Sequence, residues 1–234
     1  MIPSIISGCP IRYLSSLSER KNIFSKLNIN NTDDFVKSFE NTSKPKTKLV
    51  ESPGGATDNI NSPPHDTIYV FLEKVLSKSR RRIDLISGDG NCFFRSLSKE
   101  VFGTERFHKW IRNQVVEYMK QRPTLFSLFI DGTETIDDHV EKMRSDKVWA
   151  TTAEIFAAST FLGMDIYLLT PVINQQYEWF HFRPLREVKH RRFYVTLCHT
   201  GAEHFDRVVP IDNFDNKDFP PPICRGSFLD YFFY

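Results

Sequence analysis

A cysteine at the predicted start of a helix is the strongest candidate for chemistry in this sequence. Residues 88–95 read Gly-Asp-Gly-Asn-Cys-Phe-Phe-Arg, so a turn with two glycines leads directly into Cys92. The helix dipole and the amide groups of the first turn stabilise a thiolate at such a position. The same turn can bind an oxyanion, and we predict an oxyanion hole formed by the backbone amides of Asp89, Gly90, Asn91 and Cys92.

A thiol nucleophile needs a base, and His204 is the histidine best placed to act as one. It lies in His204-Phe205-Asp206, where a strand would put residues 204 and 206 on the same face. Asp206 would then accept a hydrogen bond from one imidazole nitrogen while the other nitrogen faces Cys92. His199, in the preceding strand, has Gly201 two residues later and lacks such an acid.

The elements that position these residues follow from hydrophobic periodicity and from capping signals. We predict helices from residue 66 or 67, from 92 to 103 and from about 106 to 121, and one that starts at the Thr151–Glu154 capping box and ends at Gly163. We predict strands over 82–86, 165–169, 177–183, 192–199 and 204–209. Helices dominate the first half and strands the second, which predicts an α+β fold with a small sheet covered by helices.

Three blocks of the sequence resemble the OTU (ovarian tumour domain) family of cysteine proteases. They are Asp89-Gly90-Asn91-Cys92-Phe93-Phe94-Arg95-Ser96; Trp149-Ala150 with Glu154, Ala157, Leu162-Gly163 and Ile166; and Tyr194-Val195-Thr196-Leu197 leading to His204-Phe205-Asp206. The resemblance covers roughly residues 68–209 and implies a papain-like OTU fold with a small central sheet. It also implies a thiol hydrolase that cleaves peptide or isopeptide bonds after the C-terminal glycine of ubiquitin or a ubiquitin-like modifier.

The resemblance assigns a role to each candidate residue of the site. Cys92 is the nucleophile, His204 is the general base and later the acid, and Asp89 is the acidic residue of the signature. The residue pattern itself favours Asp206 as the group that touches His204, with Asp89 bracing the oxyanion loop, so both acids remain candidates. Phe93 stands where the family often has leucine, and Ala150 where glycine is frequent. We expect these departures to alter the substrate groove.

Two other functions remain open at this point. One is an inactive fold that retains ubiquitin recognition, although the presence of a cysteine, a histidine and two acids argues against it. The other is a protease of the same fold that acts on a different protein, such as a polyprotein.

An acidic run suggests where a substrate would bind. Residues 131–141 hold five acids and no Lys or Arg, whereas the ubiquitin tail, Leu-Arg-Gly-Gly, brings positive charge beside an apolar patch. Asp137, Asp138 and Glu141, near Phe129, Ile130 and Ile136, are therefore candidate substrate contacts. A solvated helix face explains the same run equally well.

Composition limits the other classes of function. The chain of 234 residues has 31 Lys+Arg against 29 Asp+Glu, so it lacks the basic excess of a nucleic-acid binder, and we interpret the basic run at 78–82 as a solvated helix end. No apolar run approaches the roughly 18–20 residues of a membrane span, and the N-terminus makes a poor signal peptide. The partner we expect is ubiquitin or a ubiquitin-like modifier, with no nucleic acid and no membrane, and the chain is expected to be a monomer.

The cysteines bear on metals and on the compartment. Four cysteines lie far apart with no C-x-x-C spacing, which argues against a zinc ribbon and against a disulfide framework. A zinc site from Cys92, Cys198, His199 and His204 lacks any short ligand motif, so we expect no metal and no organic cofactor. Reduced thiols indicate the cytosol or the nucleus.

Three regions are expected along the chain. Residues 1–65 form an N-terminal extension that is largely a flexible linker from about residue 28, where large apolar residues are scarce. Residues 66–210 form the OTU-like protease domain. Residues 211–234 form a tail rich in aromatic side chains.

Overall fold

A computed structural model describes residues 65–130, 132–172, 176–186, 193–200, 204–212 and 219–224. The expected linker, Asp131 of the acidic run and most of the aromatic tail lie outside the described residues. The proposed boundaries of the three regions therefore stay predictions.

The described residues contain six α-helices and one strand in the first part of the chain, followed by four strands in the second part. The first seven are α1 (His65–Ser77), β1 (Arg81–Asp84), α2 (Cys92–Phe102), α3 (His108–Lys120), α4 (Pro123–Phe126), α5 (Ile136–Met143) and α6 (Thr152–Leu162). The last four are β2 (Met164–Pro171), β3 (Tyr177–Phe182), β4 (Phe193–His199) and β5 (Phe205–Pro210). Short 3₁₀ turns precede α3 (Glu105–Phe107) and follow α4 (Ser127–Phe129). The predicted α+β class is confirmed.

Helix ends lie where the sequence places its stop and start signals. Gly103 and Gly163 adopt left-handed backbone angles, with φ of 71° and 66°, and end α2 and α6. The predicted capping box is present at the start of α6, because Glu154 accepts a hydrogen bond from the Thr151 amide at 2.8 Å. Helix α1 begins at His65, slightly ahead of the predicted cap.

The five strands form one mixed sheet in the order β1-β5-β4-β2-β3. Strands β2 and β4 are parallel, and the other neighbours are antiparallel. Val195 and Leu197 of β4 face the main core, and Cys198 faces a second cluster, so this strand is buried on both faces. Its alternating apolar pattern therefore does not mark a solvent-exposed face.

Helices cover both faces of the sheet, as predicted. The main core lies between the sheet and helices α2 to α6. The second cluster lies under α1 and consists of Leu72, Leu76, Ile83, Leu169, Cys198 and Val208. The side of the sheet that carries Cys198 is thus closed by α1.

A buried arginine ties α2 to the sheet. Arg207 of β5 donates to Asp84 of β1 at 2.7 and 2.9 Å and to Glu100 of α2 at 2.8 Å. Its guanidinium group is almost fully removed from solvent, so both carboxylates compensate its charge. This pairing fixes α2, which begins at Cys92, relative to the strand that contains Asp206.

The basic run after α1 is not uniformly solvated, so our interpretation of it is wrong for Arg81. Arg81 is buried, its guanidinium lies 4.7 Å from the ring centre of Phe219, and it donates to the carbonyl of Pro220 at 2.5 Å. A planar guanidinium group can be buried in this way because it stacks on aromatic rings. Arg80 is exposed and pairs with Asp212. In the part of the chain that the structure describes, no helix is both long and apolar enough to cross a membrane.

A buried histidine links α5 to the start of α6. His139 lies 2.9 Å from Glu134 Oε2 through Nδ1 and 2.8 Å from Glu154 Oε1 through Nε2. Burial opposes protonation of this imidazole, but the hydrogen bonds and charges of Glu154 and Glu134 outweigh burial and raise the pKa of His139. The folded state therefore favours the imidazolium form.

The raised pKa of His139 predicts a stability that falls as the pH rises above neutrality. The contribution of His139 to the free energy of unfolding is fully present below the pKa of histidine in the unfolded chain, about 6.5. It is lost as the pH rises through the higher pKa of the folded state. Across that window, we expect the free energy of unfolding of the wild type to lose its advantage over that of His139→Gln, since a tenfold change in proton affinity corresponds to about 1.4 kcal/mol. Urea denaturation of both proteins at a series of pH values measures this difference.

His108 provides a control, because its pKa is lowered in the folded state whereas that of His139 is raised. Burial is the main reason that the pKa of His108 is lowered. The advantage of the wild type over His108→Gln should therefore grow as the pH rises towards about 6.5 and should stay constant above it. A pH-independent difference for His139→Gln would contradict the assigned ion pairs.

Candidate active site

Cys92 is the first residue of α2 and is buried in the main core. The amide group of Phe205 donates to its Sγ atom at 3.4 Å, and its side chain forms a hydrogen bond with His204. The first amide groups of an α-helix have no carbonyl partner within the helix, and their dipoles favour negative charge. The thiol thus lies among groups that stabilise a thiolate.

His204 contacts both Cys92 and Asp206. Its Nε2 atom lies 3.2 Å from Asp206 Oδ1. The ring lies against Gly88, where an added Cβ atom would be 3.6 Å from Nδ1. The hydrogen bond with Asp206 and then that with Cys92 outweigh burial and raise the pKa of His204 to about 10. The imidazole is therefore held as an imidazolium at neutral pH.

Asp206 is fully buried, and its two oxygens accept hydrogen bonds from different parts of the chain. Oδ1 accepts from the Ile86 amide at 2.7 Å, and Oδ2 accepts from Thr200 Oγ1 at 2.7 Å and from the Tyr69 hydroxyl at 2.8 Å. Burial opposes ionisation, but these bonds together with that of His204 outweigh it and keep the pKa of Asp206 below its ordinary value. The group is therefore a carboxylate that can stabilise the imidazolium.

Asp89 lies in a different environment from Asp206. Its Oδ2 atom is 2.6 Å from Arg95 Nη2, and its Oδ1 atom accepts from Arg95 Nε at 3.0 Å and from the Asn91 amide at 3.1 Å. These bonds, those of Arg95 first, lower the pKa of Asp89. Of the two candidate acids, the structure thus brings Asp206 to His204 and directs Asp89 to its own turn.

The bond from Asn91 to Asp89 bears on the predicted oxyanion hole. Because the Asn91 amide already donates to a carboxylate, it is not a free donor for a substrate oxygen. The amides of Asp89, Gly90 and Cys92 are the remaining members of the set predicted from the sequence.

The turn before Cys92 requires glycine at position 90. Gly90 has a φ of 79°, and an added Cβ atom would lie 2.2 Å from the carbonyl oxygen of Lys147. Lys147 in turn donates its amide to Asn91 Oδ1 at 3.2 Å. The segment between α5 and α6 therefore packs directly against the turn.

Arg112 also holds this turn, and sequence reasoning missed it. Its Nη2 atom donates to the carbonyl of Gly90 at 3.1 Å, to Asn91 Oδ1 at 2.8 Å and to the carbonyl of Val148 at 2.7 Å. The guanidinium also lies 4.2 Å from the ring centre of Phe94. An arginine next to Ile111 in the apolar stripe of α3 was the signal that could have revealed a buried polar role.

Two further residues of the site, Tyr69 and Thr200, were also missed. Tyr69 belongs to the face of α1 that carries Leu72, and Thr200 follows β4 directly. A tyrosine on an apolar helix face indicates a hydroxyl that needs a buried partner. The sequence alone does not identify that partner, because Asp206 is far away along the chain.

The two departures from the OTU pattern, Phe93 and Ala150, both pack against the main core. Phe93 is 1% exposed, and its ring packs edge-on against Phe94 and Phe205 with centres 5.2 and 5.4 Å apart. Its side chain enters the core, so Phe93 could act on a substrate groove only through the packing beneath it, and the expectation of an altered groove stays a prediction. Ala150 is partly buried against the same core.

The candidate substrate contacts lie on α5, a different element from those that carry Cys92 and His204. Asp137, Asp138 and Glu141 are exposed. Asp138 forms a hydrogen bond with Thr135 at the start of the helix, and Glu141 lies 3.5 Å from Arg144. Their apolar neighbours Phe129, Ile130 and Ile136 pack against the core rather than standing free.

Within the described residues, no group of three or more His, Cys, Asp or Glu side chains is arranged to hold a metal ion. Cys198 and His199 have other surroundings. Cys198 is buried under α1, and His199 Nδ1 lies 2.8 Å from Thr170 Oγ1. The arrangement of Cys92, His204 and Asp206 is suited to covalent acyl transfer by a thiolate.

Comparisons with known proteins agree with this chemistry. Residues 87–209 match the family model described as OTU-like cysteine protease. The chain is 29% identical over 140 residues to OVARIAN TUMOR DOMAIN-containing deubiquitinating enzyme 7 of Arabidopsis thaliana, covering 57% of this chain and 36% of that protein. It is 26% identical over 164 residues to OVARIAN TUMOR DOMAIN-containing deubiquitinating enzyme 10 of the same organism, and this match covers 64% of this chain and 44% of that protein. The match thus spans less than half the length of either relative.

A solved structure, that of the OTUD1 OTU domain, shares the fold. It has a TM-score of 0.54 and 25% sequence identity, and the match covers 61% of this chain and 97% of that domain. The described helices and mixed sheet therefore form a papain-like OTU fold.

Replacing Arg112 by lysine should impair the turn before Cys92. A lysine ammonium cannot reproduce the planar fork that joins the turn to Val148. Removing an oxyanion donor typically costs about 100-fold or more in rate. Arg112 holds the turn that contains the donors without being one of them, so we expect a smaller effect, in which hydrolysis of an acyl substrate falls by about tenfold or more. Alkylation of Cys92 by iodoacetamide should change less, because the bond to His204 is retained.

Arg122→Lys is the matched control, because Arg122 lies over the ring of Tyr118 and not at the turn. Equal rates of hydrolysis for Arg112→Lys and Arg122→Lys would contradict the role given to Arg112.

Proposed function

The chain belongs to the OTU family of cysteine proteases, and we propose that it is a deubiquitinase that cleaves after the C-terminal glycine of ubiquitin or a ubiquitin-like modifier. The observation that carries this proposal is the line of contacts from Asp206 through His204 to Cys92 at the start of α2. The family match includes all three residues. Their roles as acid, base and nucleophile are part of the proposal.

The first half of the reaction forms a thioester. The Cys92 thiolate attacks the carbonyl carbon of the terminal glycine, and the amides of Asp89, Gly90 and Cys92 receive the developing oxyanion. His204, as imidazolium, gives its proton to the leaving lysine or α-amine as the C–N bond breaks. Asp206 keeps the imidazole oriented and stabilises its charge while the proton is present.

The second half releases the modifier. His204, now neutral, removes a proton from a water molecule that attacks the thioester carbonyl. The C–S bond then breaks, the modifier leaves with a free carboxyl group that releases its proton to the solvent, and the thiolate–imidazolium pair is restored. Asp89, paired with Arg95, acts on neither proton and instead holds the turn that contains the oxyanion donors.

The choice of ubiquitin as substrate rests on relatives and on surface charge. Two relatives carry the name deubiquitinating enzyme, although the match spans only part of each. Exposed carboxylates on α5 offer a complement to the arginine of the ubiquitin tail. We also propose that the protein acts as a monomer in the cytosol or nucleus and needs no cofactor.

Removal of the nucleophile or the base should abolish hydrolysis. We expect Cys92→Ala to cleave no diubiquitin and His204→Ala to lose nearly as much activity, because the two groups act as a unit. Asp206→Asn should lower turnover strongly, and Asp89→Asn should have a smaller effect because Arg95 and the turn can still contact its amide oxygen. A diubiquitin panel and labelling by ubiquitin with a C-terminal electrophile measure these changes.

The same assays separate the remaining functions. A wild type that binds ubiquitin without reacting would indicate an inactive recognition module. Labelling by a ubiquitin-like probe alone would assign a different modifier, and reaction with neither probe would favour a protease for another protein. Full activity of Cys92→Ala would overturn the mechanism itself.

The acids of α5 predict a salt-dependent Michaelis constant. An exposed ion pair contributes about 0.2–1 kcal/mol, and the single arginine of the ubiquitin tail can form one such pair with these acids. The triple change Asp137→Asn, Asp138→Asn and Glu141→Gln should therefore raise KM for ubiquitin substrates by up to about fivefold at low salt. The difference should shrink as salt is added. Alkylation of Cys92 by a small electrophile should be unaffected, and equal KM values at low salt would assign these acids to a solvated helix face.

A further inference from the structure

We propose that helix α1 is part of the catalytic unit and that Tyr69 is the positioning residue that fixes Asp206 for His204. This inference rests on the proposed role of Asp206 as the partner of the catalytic base. Helix α1 (His65–Ser77) lies outside residues 87–209, the segment that matches the family model. The family match by itself therefore gives no role to this helix.

The helix is docked firmly enough to position a side chain. Leu72 and Leu76 are 0% and 1% exposed in the second cluster. Glu73 Oε1 accepts a hydrogen bond from the Ile83 amide at 3.0 Å, which joins α1 to β1. Tyr69 precedes Leu72 and Leu76 by three and seven residues, so it lies on the docked face.

Tyr69 reaches the oxygen of Asp206 that His204 does not use. Its hydroxyl donates to Oδ2 at 2.8 Å, whereas His204 Nε2 is 3.2 Å from Oδ1. Thr200 Oγ1 donates to the same Oδ2 at 2.7 Å and is also 3.4 Å from the Tyr69 hydroxyl. Two donors on Oδ2 prevent rotation of the carboxylate, so Oδ1 stays directed at the imidazole.

The ionisable groups around this carboxylate come from several elements. Tyr69 faces it from α1, His204 from the start of β5 and Cys198 from β4. Cys92 of α2 and His199 of β4 face His204. Burial is the main cause that raises the pKa of Tyr69 to about 12, so its hydroxyl stays protonated and donates across the working pH range.

A single hydroxyl can be removed to test this role. Tyr69→Phe retains the apolar ring, and the contacts of Leu72 and Leu76 keep α1 docked. Tyr194→Phe is the matched control, because the Tyr194 hydroxyl donates to the carbonyl of Phe219 and not to Asp206. Circular dichroism and thermal unfolding of both full-length variants establish that the fold is retained.

The first readout needs no substrate. NMR titration of the His204 ring, assigned by loss of its signal in His204→Gln, reports how strongly Asp206 holds the imidazolium. We expect the titration midpoint to move to lower pH in Tyr69→Phe and to stay in place in Tyr194→Phe. A midpoint that is unchanged in Tyr69→Phe, or that moves to higher pH, contradicts the positioning role.

The second readout is turnover of a fluorogenic ubiquitin substrate. We expect kcat of Tyr69→Phe to fall about tenfold with KM unchanged, as for the loss of one hydrogen bond to a charged group. In an Asp206→Asn background, the same change should have little further effect, because the group that Tyr69 positions is already impaired. A full further loss in that background, or a change in KM alone, would overturn the proposal.

The two readouts also separate this inference from the proposed function. If the wild type cleaves no ubiquitin substrate but the His204 midpoint shifts in Tyr69→Phe, the proposed function fails and the role of Tyr69 stands. If the wild type is active and neither readout changes in Tyr69→Phe, the proposed function stands and the role of Tyr69 fails.

Discussion

The site depends on one constraint, which is that an ionised carboxylate without access to water must receive its hydrogen bonds from the protein. Asp206 meets this requirement with donors from α1, from the segment after β1, from the end of β4 and from His204. The relative positions of these four segments are therefore coupled through one side chain. Orientation of the imidazole follows from the same requirement, because His204 is itself one of the donors.

Asp206 and Asp89 have the same side chain, but their different surroundings give them different roles. Asp206 is fully buried and faces an imidazole, whereas Asp89 is partly exposed and is neutralised by Arg95. The first can respond to a proton on its neighbour, and the second gives a fixed shape to the turn. Arg112 supports that turn from the opposite side through the carbonyl of Gly90.

Local signals in the sequence were sufficient for some features and not for others. The start of α2 at Cys92 and the ends at Gly103 and Gly163 followed from glycine and capping chemistry, which acts within a few residues. The partners of Tyr69 and Arg112 did not, because a side chain's tertiary contacts depend on how distant elements pack. The same holds for Phe93, whose direction into the core follows from its contact with Phe205.

The second cluster under α1 has a consequence for moving this domain between proteins. Leu169, Cys198 and Val208 belong to the family-matched segment, yet their cover comes from Leu72 and Leu76, which precede it. A graft limited to residues 87–209 would expose this apolar surface to water and would invite self-association. The smallest transferable unit therefore has to begin ahead of α1, since a boundary drawn from sequence similarity cuts through a packed layer.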